Sequence, residues 1–172
     1  MKTYPSILAA LLALSTLLFV TSCQQPPAPP PVPVGGVDDC QLFFDNTNIQ
    51  AVNNGANAPR FVLTPQDPSL LCGLQTYHWN GGAGQAPGQI GLRNLTTGQV
   101  YGPYQATGSP GQGGAPNVNW RVLLSPRIEL RPGVYEVIDS HPASWSWNAQ
   151  SLDKSTPPRA SGFALVWLTI AE

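Results

Sequence analysis

Asn119-Trp120-Arg121-Val122-Leu123-Leu124 carries the clearest secondary-structure signal in the chain. Successive side chains of an extended chain point to opposite faces, so Trp120, Val122 and Leu124 fall on one side and Asn119, Arg121 and Leu123 on the other. That period of two is the mark of a half-buried strand. A second stretch, Phe163-Ala164-Leu165-Val166-Trp167-Leu168, is apolar on both faces and predicts a central strand.

On either side of these two, short runs rich in β-branched and aromatic residues recur at 41–44, 60–64, 74–79, 89–93, 118–124, 127–130, 134–139 and 162–170. Turn residues separate them, and scattered Gly and Pro leave no helical window of any length. Pro132-Gly133 is placed for a type II turn joining 128–130 to 134–139. The pattern predicts an all-β, antiparallel β-sandwich, with a closed β-barrel as the alternative.

Length bounds the organisation. Residues 38–172 are enough for one domain with a real core. Lys and Arg number 8 against 9 Asp and Glu, with no dense basic patch, which argues against a nucleic-acid partner. Few charges beside abundant Gly, Pro, Asn, Ser and Thr point to an extracytoplasmic β-protein with polar loops.

The N-terminus has its own signature. Lys2 precedes an apolar run from Ile7 to Val20 that reaches about 21 Å as a helix, short of the ~30 Å hydrocarbon core. It reads as an export signal rather than a permanent span. Val20-Thr21-Ser22-Cys23 then resembles the lipobox of bacterial lipoproteins. The resemblance implies cleavage after residue 22 and lipidation of Cys23, so that covalent lipid holds the protein on the membrane, with palmitate among the acyl chains. Two or three acyl chains suffice for stable anchoring. Gln24 after the cysteine resembles cargo sent to the outer membrane in diderm bacteria. The proline run from Pro26 to Val34 predicts an extended polyproline II spacer of about 28 Å, making 23–37 a tether.

With Cys23 acylated, Cys40 and Cys72 are the remaining thiols in a compartment where disulfides persist, and a Cys40–Cys72 disulfide is expected. There is no C-x-x-C to suggest thiol-redox chemistry.

Several segments resemble a domain that recurs in otherwise unrelated exported or surface-attached bacterial proteins and has no assigned activity. They are Tyr77-His78-Trp79-Asn80-Gly81-Gly82, Pro87-Gly88-Gln89-Ile90-Gly91-Leu92-Arg93, Tyr101-Gly102-Pro103-Tyr104, Pro116-Asn117-Val118-Asn119-Trp120, and the run from Leu130-Arg131-Pro132-Gly133-Val134-Tyr135 through Asn148. The resemblance implies a β-rich extracytoplasmic module and brings no catalytic residues.

Catalytic signatures are sparse. The Gly-rich stretches 82–87 and 111–116 end in Pro and open no helix, which argues against nucleotide binding. His78 or His141 with Asp139 and one of Ser140, Ser144 or Ser146 makes a triad on paper, without a Gly-x-Ser-x-Gly elbow. Zinc would need His78, His141 and Asp139 to converge. No cofactor is expected, with structural calcium at Asp38, Asp39 and Asp45 held open against plain solvation of those acids.

The strongest functional content is aromatic and amide. Tyr77, Trp79, Trp145 and Trp147 lie near Asn80, Asp139, His141 and Asn148. Flat rings suit the apolar side of a sugar, and amides and carboxylates suit its hydroxyls; the competing reading packs the tryptophans in the core. If 144–147 is extended, Trp145 and Trp147 point the same way, and the loops after 134–139 and after Trp79 form one working surface. The sequence therefore predicts a lipid-anchored cell-envelope protein with a non-catalytic module in a structural or protein-interaction role. A module for glycan or another small polar ligand is the alternative, and an envelope enzyme stands behind both.

Overall fold

The computed structural model describes residues 39–169. The signal segment, Cys23, the proline-rich tether and Asp38 lie outside the described residues. Alternation sets the architecture. The strands are β1 (Gln41–Asp45), β2 (Arg60–Leu63), β3 (Leu70–Tyr77), β4 (Gln89–Asn94), β5 (Val100–Gln105), β6 (Thr107–Ser109), β7 (Asn119–Glu129), β8 (Gly133–Asp139), β9 (Trp147–Leu152), β10 (Ala160–Gly162) and β11 (Ala164–Thr169). They form a five-stranded sheet in the order β1-β11-β3-β7-β6, a four-stranded sheet β2-β8-β4-β5, and a ribbon β10-β9. Every pairing is antiparallel. The sheets do not close into a barrel, so the sandwich holds and the barrel alternative falls.

The core is the space between the sheets. Leu74, Trp120, Val122, Val166 and Leu168 come from one side, and Phe61, Ile90, Leu92, Tyr135 and Val137 from the other. Phe44 and Phe61 stack across the gap at 5.5 Å between centroids, and Phe61 stacks on Tyr135 at 5.4 Å. As expected, β11 is internal, flanked by β1 and β3.

Three expectations about elements change. Runs 118–124 and 127–130 are one strand, β7, whose register on β3 jumps from Gly73↔Leu123 to Leu71↔Ile128. The residues between bulge out around Pro126. Second, β7 and β8 lie in different sheets, so Pro132-Gly133 carries the chain across the sandwich instead of closing a hairpin. That corner is fixed by Tyr135, whose hydroxyl donates to the Arg131 carbonyl oxygen at 2.6 Å, the arrangement known as a tyrosine corner. Burial pushes the Tyr135 phenol up to about 12, so it stays a donor. Third, β5, β6, β9 and β10 fall outside the runs that the sequence pattern marked as strands, apart from Gly162. They arise from pairing partners rather than local pattern.

The Cys40–Cys72 disulfide is formed, with Cα atoms 6.2 Å apart. It ties the residue preceding β1 to β3 across 32 positions of sequence, worth about 3–4 kcal/mol in the chain-entropy account. Arg127 donates to Asp39 beside it at 2.9 Å. Among the described residues, no helix is long and apolar enough to cross a membrane.

Candidate functional site

The C-terminal end of β3 and the start of β7 carry polar side chains on both faces. Thr76 and His78 are buried on the inner side, whereas Gln75 and Tyr77 face outward and are only part-buried.

On the inner side a closed polar cluster forms. Thr76 Oγ1 donates to Asp139 Oδ2 at 2.8 Å, and His78 Nε2 lies 3.0 Å from the same oxygen. His78 Nδ1 is 3.0 Å from Ser144 Oγ, which also donates to the His141 carbonyl at 3.1 Å. The His141 backbone N–H donates to Asp139 Oδ1 at 2.7 Å. Trp120 stacks on the imidazole at 3.8 Å and 24°. The His78 and Asp139 side chains are both 0% exposed. The triad drawn on paper thus assembles as Ser144, His78 and Asp139, in a place closed to solvent.

On the outer side the same strands floor a cleft of about 530 Å³. Its wall is the loop Thr47–Val52, and Trp79, Gln112, Asn119 and Phe163 complete it. Tyr77 pairs in register with Asn119, and Gln75 Nε2 donates to Asn119 Oδ1 at 3.3 Å. Tyr77 and Phe163 lie 6.0 Å apart between centroids. Burial raises the Tyr77 phenol pKa, a nearby Gln112 backbone group partly opposing it, so the hydroxyl stays protonated. Among the described residues lining the cleft, none is Asp, Glu, Lys, Arg or His.

The wall is built from sequence-local turns and long-range struts. Asp45 Oδ1 accepts from Thr47 N at 2.7 Å and Oγ1 at 2.8 Å. The Asn48 and Asn148 amides bond reciprocally, at 3.0 and 2.7 Å. Asn53 and Trp147 form a β-bridge, and Trp147 Nε1 donates to the Asn54 carbonyl at 3.1 Å. Buried Asn46 pins the loop base, donating to the Gly162 carbonyl at 3.0 Å and accepting from Ala164 N at 2.8 Å. After Trp79 the chain makes a 3-10 turn, Asn80–Gly82. Gly84 then lies so close to the next loop that a Cβ would sit 1.6 Å from the Pro116 oxygen, so no larger residue fits.

The sequence candidates divide accordingly. Tyr77 and Trp79 line the cleft. Asn80 bonds the Gly84 carbonyl at 2.9 Å and accepts from Asn54 at 3.4 Å, shaping the adjacent turn. Trp147 and Asn148 are struts of the loop wall. Asp139 belongs to the inner cluster and is not on the outer face. His141 is exposed, with its ring 2.9 Å from Ser140 Oγ and edge-on to Trp120. Trp145 is 1% exposed, its indole N–H donating to the Phe163 carbonyl at 2.9 Å. The expected common outward face of Trp145 and Trp147 therefore does not form. The chain turns there, with Ser144 N on the His141 carbonyl and Trp145 N on the Pro142 carbonyl, so an alternating direction does not apply. Trp145 fills the space over Gly162, where a Cβ would lie 2.3 Å from its ring.

Sequence reading missed Asn48, Gln50, Gln75, Gln112, Asn119 and Phe163 as cleft residues. Gln75 and Tyr77 alternating with Thr76 and His78 was the available signal. Among the described residues, no group of three His, Cys, Asp or Glu is arranged to hold a metal ion. Of the acids considered for calcium, Asp39 is bound to Arg127 and Asp45 to Thr47.

No family model matches the chain, and neither a curated protein nor a solved structure matches it.

Proposed function

We propose that this is a non-catalytic binding module of the cell envelope, exported by its N-terminal segment and anchored through lipid on Cys23, with the outer cleft as its working surface. The observation that carries the reading is the lining of that cleft, where Tyr77, Trp79 and Phe163 stand beside Gln50, Gln75, Gln112 and Asn119. Its volume of about 530 Å³ falls in the range of small-molecule sites, and its loop wall is held by side-chain struts instead of being left to solvent.

The non-catalytic half of the reading is supported by the inner cluster. A serine nucleophile must present its oxygen to a substrate, with the base nitrogen in reach. Ser144 and His78 are both buried, and the ring of Trp120 covers the imidazole. The cluster serves packing.

Ligand-observed NMR against a fragment library tests the reading, with Trp79→Ala as the control. Binders that lose contact in that variant support it; binders indifferent to Trp79 and Gln75 overturn it. The anchor is tested separately by labelled-palmitate incorporation in Cys23→Ala, where retained labelling would remove the lipid assignment.

A second reading, protein interaction, is favoured by one observation. Leu42, Trp167, Gly73 and Leu123 lie in one cross-strand row on the outer face, and Leu42 and Leu123 are 50% and 56% exposed. Leu123→Lys separates the two readings, since it should abolish partner capture and leave small-ligand binding intact.

A further inference from the structure

We infer that the cleft holds an uncharged sugar residue of a glycan chain, an inference that rests on the cleft being the working surface. Three observations lead there.

The first is electrostatic. With no ionisable carboxylate, amine, guanidinium or imidazole among its described lining residues, the cleft offers nothing to compensate a formal charge. An acidic or cationic ligand would give up hydration without an ionic partner.

The second is hydrogen-bond chemistry. A sugar hydroxyl both donates and accepts, and a side-chain amide does the same. Gln50 and Gln112 make no side-chain hydrogen bond among the described residues, although both line the cleft. Gln75 spends one amide N–H on Asn119 and keeps its carbonyl oxygen. Asn119 is in turn fixed by donating to the Pro110 carbonyl at 2.9 Å, so the amide row is oriented before any ligand arrives.

The third is shape. Trp79 and Tyr77 supply ring surface for the C–H side of a pyranose, while Ile49, 99% exposed on the loop wall, offers an aliphatic contact at the rim. The cleft is only partly enclosed, so a bound sugar can continue into a chain at the open side.

The experiment is calorimetric titration of the full-length chain in a detergent without a sugar headgroup. The neutral probes are cellotetraose, maltotetraose and N,N′,N″-triacetylchitotriose; tetragalacturonate is the acidic probe and adenosine the neutral, planar, non-polymeric one. Saturable binding of at least one neutral oligosaccharide is expected, weakened about tenfold or more by Trp79→Ala and by Gln75→Ala, with the melting temperature nearly unchanged. Binding of tetragalacturonate alone, or of none of the neutral oligosaccharides, overturns the inference. Adenosine binding lost in Trp79→Ala, with no oligosaccharide bound, would leave the cleft as the working surface and discard the sugar. Oligosaccharide binding unchanged in both variants would discard the cleft as well. Should Trp79→Ala fail to fold, Gln112→Ala gives the same readout.

Discussion

The two faces of β3 place polar side chains one residue apart and use them in opposite ways. Thr76 and His78, on the inside, have every capacity met by Asp139, Ser144 and the ring of Trp120. Among the described residues, no buried side-chain nitrogen or oxygen lacks a partner. Gln75 and Tyr77, on the outside, stand in a cleft with donors and acceptors to spare. A saturated buried cluster gains from staying as it is, because losing one member strands the others. Unsatisfied amides beside half-buried rings cost nothing in water and gain only when something binds. Position relative to solvent, not residue type, separates the closed cluster from the open cleft.

The largest difference between the faces is expected at two neighbours on β7. Trp120→Ala should cost about 3–5 kcal/mol, because the ring is wholly buried against His78 and its indole N–H donates to the Gln85 and Asn117 carbonyls. Asn119→Ala, on the other face, should cost only about 1 kcal/mol, the share of its two partly exposed hydrogen bonds. Equal costs in urea titration would erase the distinction between the faces.

Next in size is the staple at the far end of β3. Replacing Cys40 and Cys72 together by Ser should lower stability by about 3–4 kcal/mol. Non-reducing peptide mapping of the wild type should recover the linked pair, and an unchanged denaturation midpoint in the double variant would show that the sheets hold β3 without it.

Ser144→Ala tests whether the inner cluster is only structural. The expected cost is about 1 kcal/mol, with glycan binding unaffected. A hydrolase activity that disappears in this variant at unchanged stability would convert the cluster into a catalytic site.

Acid should loosen the domain away from both faces. Burial raises the Asp153 carboxyl, but hydrogen bonds from Ser155 and Arg159 outweigh it and hold the group below the usual carboxylate range. Asp39 is held low chiefly by its hydrogen bond to Arg127. A depressed folded-state value means stabilisation present in full above the ordinary carboxylate range and lost as pH falls through the folded value. Urea midpoints between pH 6 and pH 3 should therefore decline, less steeply in Asp153→Asn; identical acid limbs would remove Asp153 from the account.

The smallest effect on stability is expected at Tyr77→Phe, below about 0.5 kcal/mol. If the outer face is functional, this change should nonetheless weaken oligosaccharide binding several-fold in the same titration.

Much of the frame was legible residue by residue. Trp120 and Val122 alternating with Asn119 and Arg121 predicted both a strand and its buried face. Cys40 and Cys72 were expected to pair, and the both-face apolar run at 163–168 marked an internal strand. β9 was read as loop because Trp147-Asn148-Ala149-Gln150-Ser151-Leu152 is polar and lacks β-branched residues. It forms because β10 and the Asn53 bridge supply its partners. The tryptophans at 145 and 147 were weighed both as core and, if extended, as one outward pair, because sequence alone does not reveal the turn at 141–145. Trp145 went inward once Gly162 left room for its ring.

Local period and covalent chemistry were enough to set a β class, an internal strand at 163–168, and two cysteines available to each other. Tertiary structure alone decided which polar residues were enclosed. His78 meets Asp139 and Ser144 across 61 and 66 positions, and Asn48 meets Asn148 across 100. Contacts at such separations depend on how two sheets stack and where their loops land. No window of neighbouring residues encodes that, so the cleft and the buried cluster became distinguishable only after the sandwich had closed.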